Sequence, residues 1–313
     1  MKKTIKAICV FIAAVLILSI HTTASASEDR SITLNYSPGV CSFRFYKIAD
    51  LSTDGQLSLV APFTDYTDSI DTLDRIGELN ADEMRLLSAT LEAVVLRDKL
   101  TPKYIDSSSQ NGVLTITNPE RGIYLIIGEQ TKDEKYLYTP SPLLVSVPRL
   151  SENGSWENHV IIEHTKLQKE EHGNDVTKYR VRKIWKDTGY RSIRPTEITV
   201  QLLQNGILYD TVILSKENDW SYEWENLPSD FNWTVVEKKI PNGYFLSVDK
   251  KKNGIILTNR YKEPPPPPEE EIPQTGQLWW PVPVLFALGC AFLYLGVLSK
   301  KARKHKGERY EKD

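Results

Sequence analysis

The chain has 313 residues, of which 40% are hydrophobic, and its 39 Lys and Arg residues nearly balance its 41 Asp and Glu residues. A chain of this length suggests one or two globular domains between its ends. Because residues 27–275 alone carry a formal charge of −9, we expect neither nucleic acid nor a polybasic membrane surface among the partners of this part.

The first 26 residues are typical of a secretory signal peptide. Lysines near the start precede an apolar run that ends at Ile20, and residues 24–26 (ASA) form an A-x-A cleavage site. We expect cleavage before Ser27 and therefore an exported protein.

Residues 27–166 are predicted to form a β-sandwich with a helical insertion. The helix is expected at residues 81–98, where Asn80 and Glu83 make a capping box ahead of apolar residues at helical spacing. Strands are expected within residues 31–51 (two, joined by a Ser-Pro-Gly turn) and at residues 112–117, 122–128, 136–138, 143–148 and 156–163. The polar residues 167–175 are predicted to be a linker.

Three segments of this first part carry a resemblance to a known family. They are FRFYKIAD (residues 43–50), RGIYLIIGE (residues 121–129) and YTPSPLLVSVP (residues 138–148), followed by Trp156. In order and spacing they are similar to the N-terminal domain of Gram-positive pilin subunits.

Residues 176–262 have a clear β pattern. Seven short strands are expected, at residues 176–185, 198–202, 207–214, 220–225, 233–239, 244–248 and 255–261. Asn205-Gly206 is a strong hairpin-turn signal between two of them. Seven strands in fewer than ninety residues predict an immunoglobulin-like sandwich.

This second part resembles the Cna B-type domain over its whole length. The segments that carry the resemblance are VRKIWKD (181–187), RPTEITVQLLQNG (194–206), WSYEWENLP (220–228), WTVVEKKIPNGY (233–244) and ILTNRY (256–261). The fold expected for the chain is therefore mostly β, with two immunoglobulin-like (Cna B-type) sandwiches and a C-terminal transmembrane helix.

The C-terminal region has four successive parts. Residues 263–271 contain five prolines and four glutamates, which predict an extended spacer. A short motif follows: Ile272-Pro273-Gln274-Thr275-Gly276. Residues 277–299 are uncharged and long enough for a transmembrane helix, and residues 300–313 form a basic tail that marks the cytoplasmic side.

A motif, a span and a basic tail in this order resemble the cell-wall sorting signal of Gram-positive surface proteins. The resemblance implies that a sortase cleaves between Thr275 and Gly276 and joins the Thr275 carbonyl to an amine. The family usually has Leu where this chain has Ile272, which leaves the sortase class open. An ordinary membrane anchor is the alternative interpretation.

The candidate for covalent chemistry is a set of three residues: Lys183, Glu237 and Asn259. Each has the strand parity of its apolar neighbours, so all three should face one core. Burial would favour a neutral Lys183 amine and a protonated Glu237, which could polarise the Asn259 carbonyl and shuttle protons. The expected product is an amide bond between Lys183 and Asn259, and the Cna B-type resemblance implies the same intramolecular isopeptide. A buried salt bridge with an incidental Asn259 is the alternative.

Two other lysines are weaker candidates. Lys47 shares a face with core aromatic residues and suggests a second such bond, but no Asn follows the last strand of that domain; a strand residue with a solvated amine is the alternative. Lys166 is the best candidate acceptor for another subunit's Thr, although the Tyr-Pro-Lys motif of backbone pilins is not present around it.

Other chemistry is not expected. Cys41 alone remains between the signal and the predicted span, so no internal disulfide can form there, and its parity indicates a core position. The histidines lack metal-like spacing and no cofactor motif occurs. We therefore expect no cofactor, no metal site and no turnover enzyme.

Three structural functions follow from these patterns. The first is a minor pilus subunit at the base of a fibre, joined covalently to peptidoglycan or to other pilins and supporting adhesion. The second is a single wall-anchored adhesin with a host extracellular ligand, and the third is a backbone pilin that uses Lys166. Before sorting, the chain would lie in the membrane of a Gram-positive cell.

Overall fold

The computed structural model describes residues 29–151, 153–171, 176–262 and 281–307. The described residues up to Lys262 form one compact unit, and the C-terminal helix belongs to another. The predicted signal peptide, the spacer at 263–271 and the sorting motif at 272–276 lie outside the described residues.

The first half of the compact unit has thirteen strands and one α-helix among the described residues. The helix is α1 (Ala81–Asp98), and the strands are β1 (Ser31–Asn35), β2 (Ser42–Leu51), β3 (Leu57–Leu59), β4 (Tyr104–Ser107), β5 (Val113–Thr117), β6 (Gly122–Gly128), β7 (Thr131–Lys132), β8 (Tyr136–Pro140), β9 (Leu143–Val147), β10 (Arg149–Leu150), β11 (Trp156–Glu157), β12 (His159–Ile162) and β13 (Leu167–Glu171). Short 3-10 turns at Phe63–Tyr66, Asp71–Leu73 and Ile76–Glu78 precede α1.

Two sheets enclose the core of this half. One has the order β12-β1-β5, and the other has the order β3-β2-β6-β9 with β4 also paired to β2. The larger sheet is buried on both faces, because the smaller sheet covers one side while α1 and the 3-10 turns cover the other. Every residue of β6 is therefore buried, which explains its uninterrupted apolar run.

The N-terminus of α1 confirms the predicted capping box. The Asn80 side chain accepts hydrogen bonds from the backbone N–H groups of Asp82 and Glu83, both at 3.0 Å. The Glu83 carboxylate in turn accepts from the Asn80 N–H at 3.1 Å. The helix ends at Lys99, whose backbone is left-handed and whose N–H bonds to the Val95 carbonyl.

Helix α1 packs on both halves of the unit, a feature that the amphipathic pattern did not predict. Leu91 and Val94 lie in the core against the larger sheet, whereas Ala89 and Ala93 lie in the core of the second half. Polar contacts also join α1 to residues of the second half: Thr90 to the Val248 N–H, Glu92 to Lys250, Arg85 to Asp249, and Arg97 to the Glu237 carbonyl. The helix therefore links the two halves.

The predicted linker is wrong over residues 167–171, because this segment is strand β13. It pairs antiparallel with β8, which β7 borders on the other side. The Lys169 amine lies 3.7 Å from the centre of the Tyr136 ring, so a polar strand gains cation–π contacts there. Residues 172–175 lie outside the described part of the chain.

The second half has the seven predicted strands. They are β14 (Val176–Lys186), β15 (Glu197–Gln204), β16 (Ile207–Ser215), β17 (Ser221–Pro228), β18 (Trp233–Glu237), β19 (Tyr244–Lys251) and β20 (Gly254–Tyr261). A sheet of order β17-β14-β20-β19 faces a sheet of order β16-β15-β18. Asn205 and Gly206 both have positive φ, as the predicted hairpin turn requires.

Parallel pairing of β14 with β20 brings the first and last strands of this sandwich side by side. Gly254 permits this at the start of β20, because a Cβ there would lie 2.3 Å from the Arg180 carbonyl oxygen. The fold is mostly β, as predicted.

Helix α2 (Pro281–Gly307) is described separately from the compact unit. Its Pro281–Lys301 segment is long and apolar enough to cross a membrane by length and composition. The predicted span began earlier, at residue 277, but residues 277–280 are not described.

Candidate cross-linking site

The three candidate residues come from three strands and two sheets. In the parallel register of β14 and β20, Lys183 lies opposite Leu257, and Trp185 lies opposite Asn259. Lys183 and Asn259 are therefore diagonal neighbours with the same parity on adjacent strands. Glu237 is the last residue of β18 in the facing sheet. The site thus lies between the two sheets.

One carboxyl group holds the other two side chains. The Lys183 Nζ donates to Glu237 Oε2 at 2.6 Å, and the Asn259 Nδ2 donates to Glu237 Oε1 at 3.0 Å. The side chains of Lys183 and Glu237 have no solvent exposure, and Asn259 is also fully buried. Among the described residues, no donor reaches the Asn259 Oδ1 atom.

Burial sets the electrostatics of the amine. Removal from water disfavours the charged form and lowers the pKa of Lys183, while the charge and hydrogen bond of Glu237 act in the opposite direction. The net result is a pKa of about 8. Roughly a tenth of the molecules would then hold a neutral, nucleophilic amine at pH 7.

The orientation of Glu237 differs from the sequence-based expectation. The carboxyl group was expected to polarise the Asn259 carbonyl, whereas the structure has it in contact with the amide nitrogen. It therefore lies between the amine of Lys183 and the nitrogen that amide exchange would release. This arrangement suits proton transfer from the amine to the leaving nitrogen.

Sequence reasoning missed the polar and aromatic groups beside the site. The ring of Trp185 lies 5.1 Å from the Lys183 Nζ, and Arg194 lies 5.3 Å from the same ring. Arg194 forms a two-bond ion pair with Asp187. The sequence offered only a weak signal, an acid and a base seven positions apart on either side of a loop.

Lys47 lies in a different environment from Lys183. Its Nζ contacts Asp50 at 2.5 Å and Glu120 at 2.7 Å. Burial tends to lower the pKa of Lys47, but the hydrogen bonds of the two carboxylates more than offset it and the pKa is raised. Lys47 is thus held as a cation in an ion pair, and we do not propose a second cross-link there.

Lys166 and Cys41 are the remaining residues that the sequence singled out. Lys166 is exposed between β12 and β13. Cys41 is buried as expected, and burial raises the pKa of its thiol to about 12, so it is an unreactive core residue. No group of three or more potential metal ligands occurs among the residues described.

Comparison with known proteins identifies the domain that carries the site. The family model that matches is the Cna protein B-type domain, over residues 179–260. The collagen adhesin of Staphylococcus aureus is 35% identical over 108 residues, which are 31% of this chain but only 9% of the adhesin.

Two solved structures are also similar to this chain. A single B repeat unit of the collagen-binding surface protein of Staphylococcus aureus covers 75% of this chain and 98% of its own, with 15% identity and a TM-score of 0.27. The major pilin SpaD of Corynebacterium diphtheriae covers 74% of this chain and 64% of its own, with 12% identity and a TM-score of 0.28. By the family match, residues 179–260 form a Cna protein B-type domain.

Proposed function

We propose that this chain is a structural cell-surface protein whose B-type domain ties itself with an amide bond between Lys183 and Asn259. The observation that supports this most is the fully buried contact of both side chains with one carboxyl group, that of Glu237. Burying a charge is costly, and an ion pair alone recovers that cost poorly. A neutral amide in the same place would avoid it.

The reaction needs no external reagent. The neutral Lys183 amine attacks the Asn259 Cγ atom, a new C–N bond forms, and the bond from Cγ to Nδ2 breaks. Glu237 takes a proton from the attacking nitrogen and gives one to the departing nitrogen, which leaves as ammonia. Each molecule reacts once, so the protein is not an enzyme in the sense of turnover.

The bond would stabilise the domain through its denatured state. Lys183 and Asn259 are 76 positions apart, and closing a loop of that length removes about 4–5 kcal/mol of chain entropy by analogy with a disulfide. Because β14 and β20 are the first and last strands of the domain, tension would pass between them through the bond. The rest of the sandwich would carry little of that load.

Intact-mass measurement tests the bond. Residues 27–262 expressed in soluble form should have the sequence mass less one ammonia, and Lys183→Ala and Glu237→Ala should have their full sequence masses. Lys178→Ala is the matched control, because Lys178 lies on the same strand but is exposed. It should still lose ammonia. A wild-type protein of full mass would refute the cross-link.

We further propose that the chain is anchored to the Gram-positive cell wall by a sortase acting at Thr275-Gly276. The sequence order of motif, apolar stretch and basic tail supports this, together with the apolar helix over Pro281–Lys301. The helix would hold the substrate in the membrane until the Thr275 carbonyl is transferred. The proline-rich residues 263–271 would then space the domains from the wall.

Within that class we favour a minor, basal pilus subunit. Two β-rich halves followed by a proline-rich segment fit this role, and the sequence around Lys166 lacks the full acceptor motif of a backbone pilin. A single wall-anchored adhesin is the second candidate, since the curated relative is a collagen adhesin. A backbone pilin that uses the exposed Lys166 is the third.

Cell-wall extracts boiled in detergent separate these candidates. A high-mass ladder that contains this chain supports incorporation into a pilus, whereas a species of monomer size only would exclude it and favour the adhesin. If Lys166→Arg removes the ladder, the chain is a backbone subunit. If the ladder persists, Lys166 is not the acceptor.

A further inference from the structure

The loop between β14 and β15 carries an ion pair beside the proposed cross-link. Arg194 donates two hydrogen bonds to the Asp187 carboxylate, at 2.8 and 2.5 Å. The Tyr244 hydroxyl donates a third to the same carboxylate at 3.2 Å. Because the Asp187 side chain is 2% exposed, this pair is held in one arrangement at the edge of the core.

The ion pair is connected to the cross-linking site through Trp185. The Trp185 ring is partly exposed, while the Lys183 side chain beneath it has no exposure. The ring lies 5.1 Å from the Lys183 Nζ and 5.3 Å from the Arg194 guanidinium carbon. Trp220 and Tyr244 contact its sides edge-on at 5.0 and 5.1 Å. Trp185 thus covers one side of the buried amine.

We infer that Asp187 and Arg194 are positioning residues for cross-link formation, because together they hold the Trp185 ring over Lys183 and keep water from the amine. This inference rests on the proposed function. Neither residue touches the reacting atoms. Their effect acts through the Trp185 indole ring. Arg194 contacts this ring directly, and Asp187 holds Arg194 in place.

Few charged groups lie close to Lys183, so the cause of a change in its pKa can be identified. Among the described residues, Glu237 is the carboxylate in direct contact with Lys183. From α1, the Arg97 guanidinium is paired with Asp98 and contacts the backbone carbonyl of Glu237 at 3.5 Å. Asp187 and Arg194 carry opposite charges, so removing both leaves the net charge unchanged. A shift in the pH dependence would then report access of water.

The expected change in cross-linking rate follows from the pKa of the Lys183 amine. With a pKa of about 8, Lys183 has roughly a tenth of its population neutral at pH 7. If water entered fully and the pKa rose towards its ordinary value of about 10.4, the neutral fraction at pH 7 would fall by up to about 200-fold. The neutral fraction of Lys183, and with it the rate of cross-linking, would rise again as the pH is raised.

The test is the rate of ammonia loss against pH. Residues 27–262, which hold the whole described compact unit, are taken in denaturant from inclusion bodies and diluted into buffers from pH 6 to pH 10. Samples quenched in acid are measured by intact mass. The variant is the charge-neutral pair Asp187→Asn with Arg194→Gln, and circular dichroism verifies its fold. Asp210→Asn is the matched control, because Asp210 is an aspartate of the same domain that accepts a hydrogen bond from a different tryptophan, Trp224.

We expect the double variant to cross-link at least tenfold more slowly at pH 7, with its rate profile displaced to higher pH, and the control to match the wild type. Equal rates and profiles in variant and wild type would refute the positioning role while leaving the cross-link intact. A wild type that never loses ammonia would refute the proposed function itself. If the double variant does not fold, Arg194→Lys alone, which keeps the charge but removes the two-bond contact with Asp187, should show a smaller displacement in the same direction, and an unchanged profile would refute the role.

Discussion

Replacing Asn259 by Ala removes one end of the proposed bond and leaves the Lys183–Glu237 ion pair in place. If the cross-link forms, the variant loses the stabilisation of a bond over 76 positions, about 4–5 kcal/mol. If it does not form, the variant loses only the buried hydrogen bond from the Asn259 Nδ2 atom to Glu237, about 1–3 kcal/mol.

Thermal unfolding followed by tryptophan fluorescence distinguishes the two cases. For a domain of 150–250 residues, each kcal/mol shifts Tm by about 2–4 °C. We expect Asn259→Ala to lower Tm by about 8–20 °C and to keep the full sequence mass. Asn218→Ala is the control, since the partly buried Asn218 side chain also makes two hydrogen bonds in this domain but takes no part in the Lys183–Glu237 contact; it should lower Tm by only a few degrees.

The reasoning would be refuted if Asn259→Ala and Asn218→Ala had similar effects on Tm. A small effect would mean that the contact with Glu237 is an ordinary buried polar network. A large fall in Tm, combined with a wild-type protein that keeps its full sequence mass, would mean that packing accounts for the loss and that no cross-link forms. The mass and the melting temperature therefore have to change together.

Three further predictions concern the helix, the first half and the anchor. Asn80→Ala removes the cap of α1 and should cost about 1 kcal/mol, seen as a Tm lowered by about 2–4 °C; an unchanged Tm would contradict the structural role of the capping box. The hydrogen bonds of Lys103 and Lys47 lower the pKa of Glu120 to about 2, so the contribution of Glu120 to stability is present above the ordinary carboxyl pKa and is lost as the pH falls from about 4.5 to 2. Because Glu120 is half exposed, the effect is small, and Glu120→Gln should slightly flatten the fall of the urea midpoint over that pH window. Equal pH dependence of the urea midpoint in the variant and the wild type would contradict this prediction. Thr275→Ala should leave the protein in the membrane fraction of cells instead of the cell-wall fraction, and continued wall attachment would exclude cleavage at this motif.

Local sequence patterns were sufficient to predict most of the helices and strands. The capping box at Asn80 and Glu83 predicted the start of α1, because the cap bonds are made within one turn of helix. The helical spacing of the apolar residues behind it predicted the length. The strands of the second half were predicted in number and order, since alternation along a half-buried strand is read from neighbouring residues. The same alternation led to Lys183, Glu237 and Asn259 as inward-facing residues.

Other features depended on partners far away in the sequence. Strand β13 (LQKEE) has no apolar alternation, and its pairing comes from the available edge of β8 and the rings beneath Lys169. Ala89 and Ala93 are too small to mark a core face by themselves. They lie in the second core because α1 approaches that sandwich closely.

The candidate site divides in the same way. The sequence alone determined which strands carry Lys183, Glu237 and Asn259 and that their side chains face inward, because parity is a property of each strand. Only the tertiary structure decided that the Glu237 carboxyl contacts the amide nitrogen and that Arg194, paired with Asp187, lies beside the Trp185 ring. Those contacts depend on the distance between two sheets and on the path of one loop, which no single strand encodes.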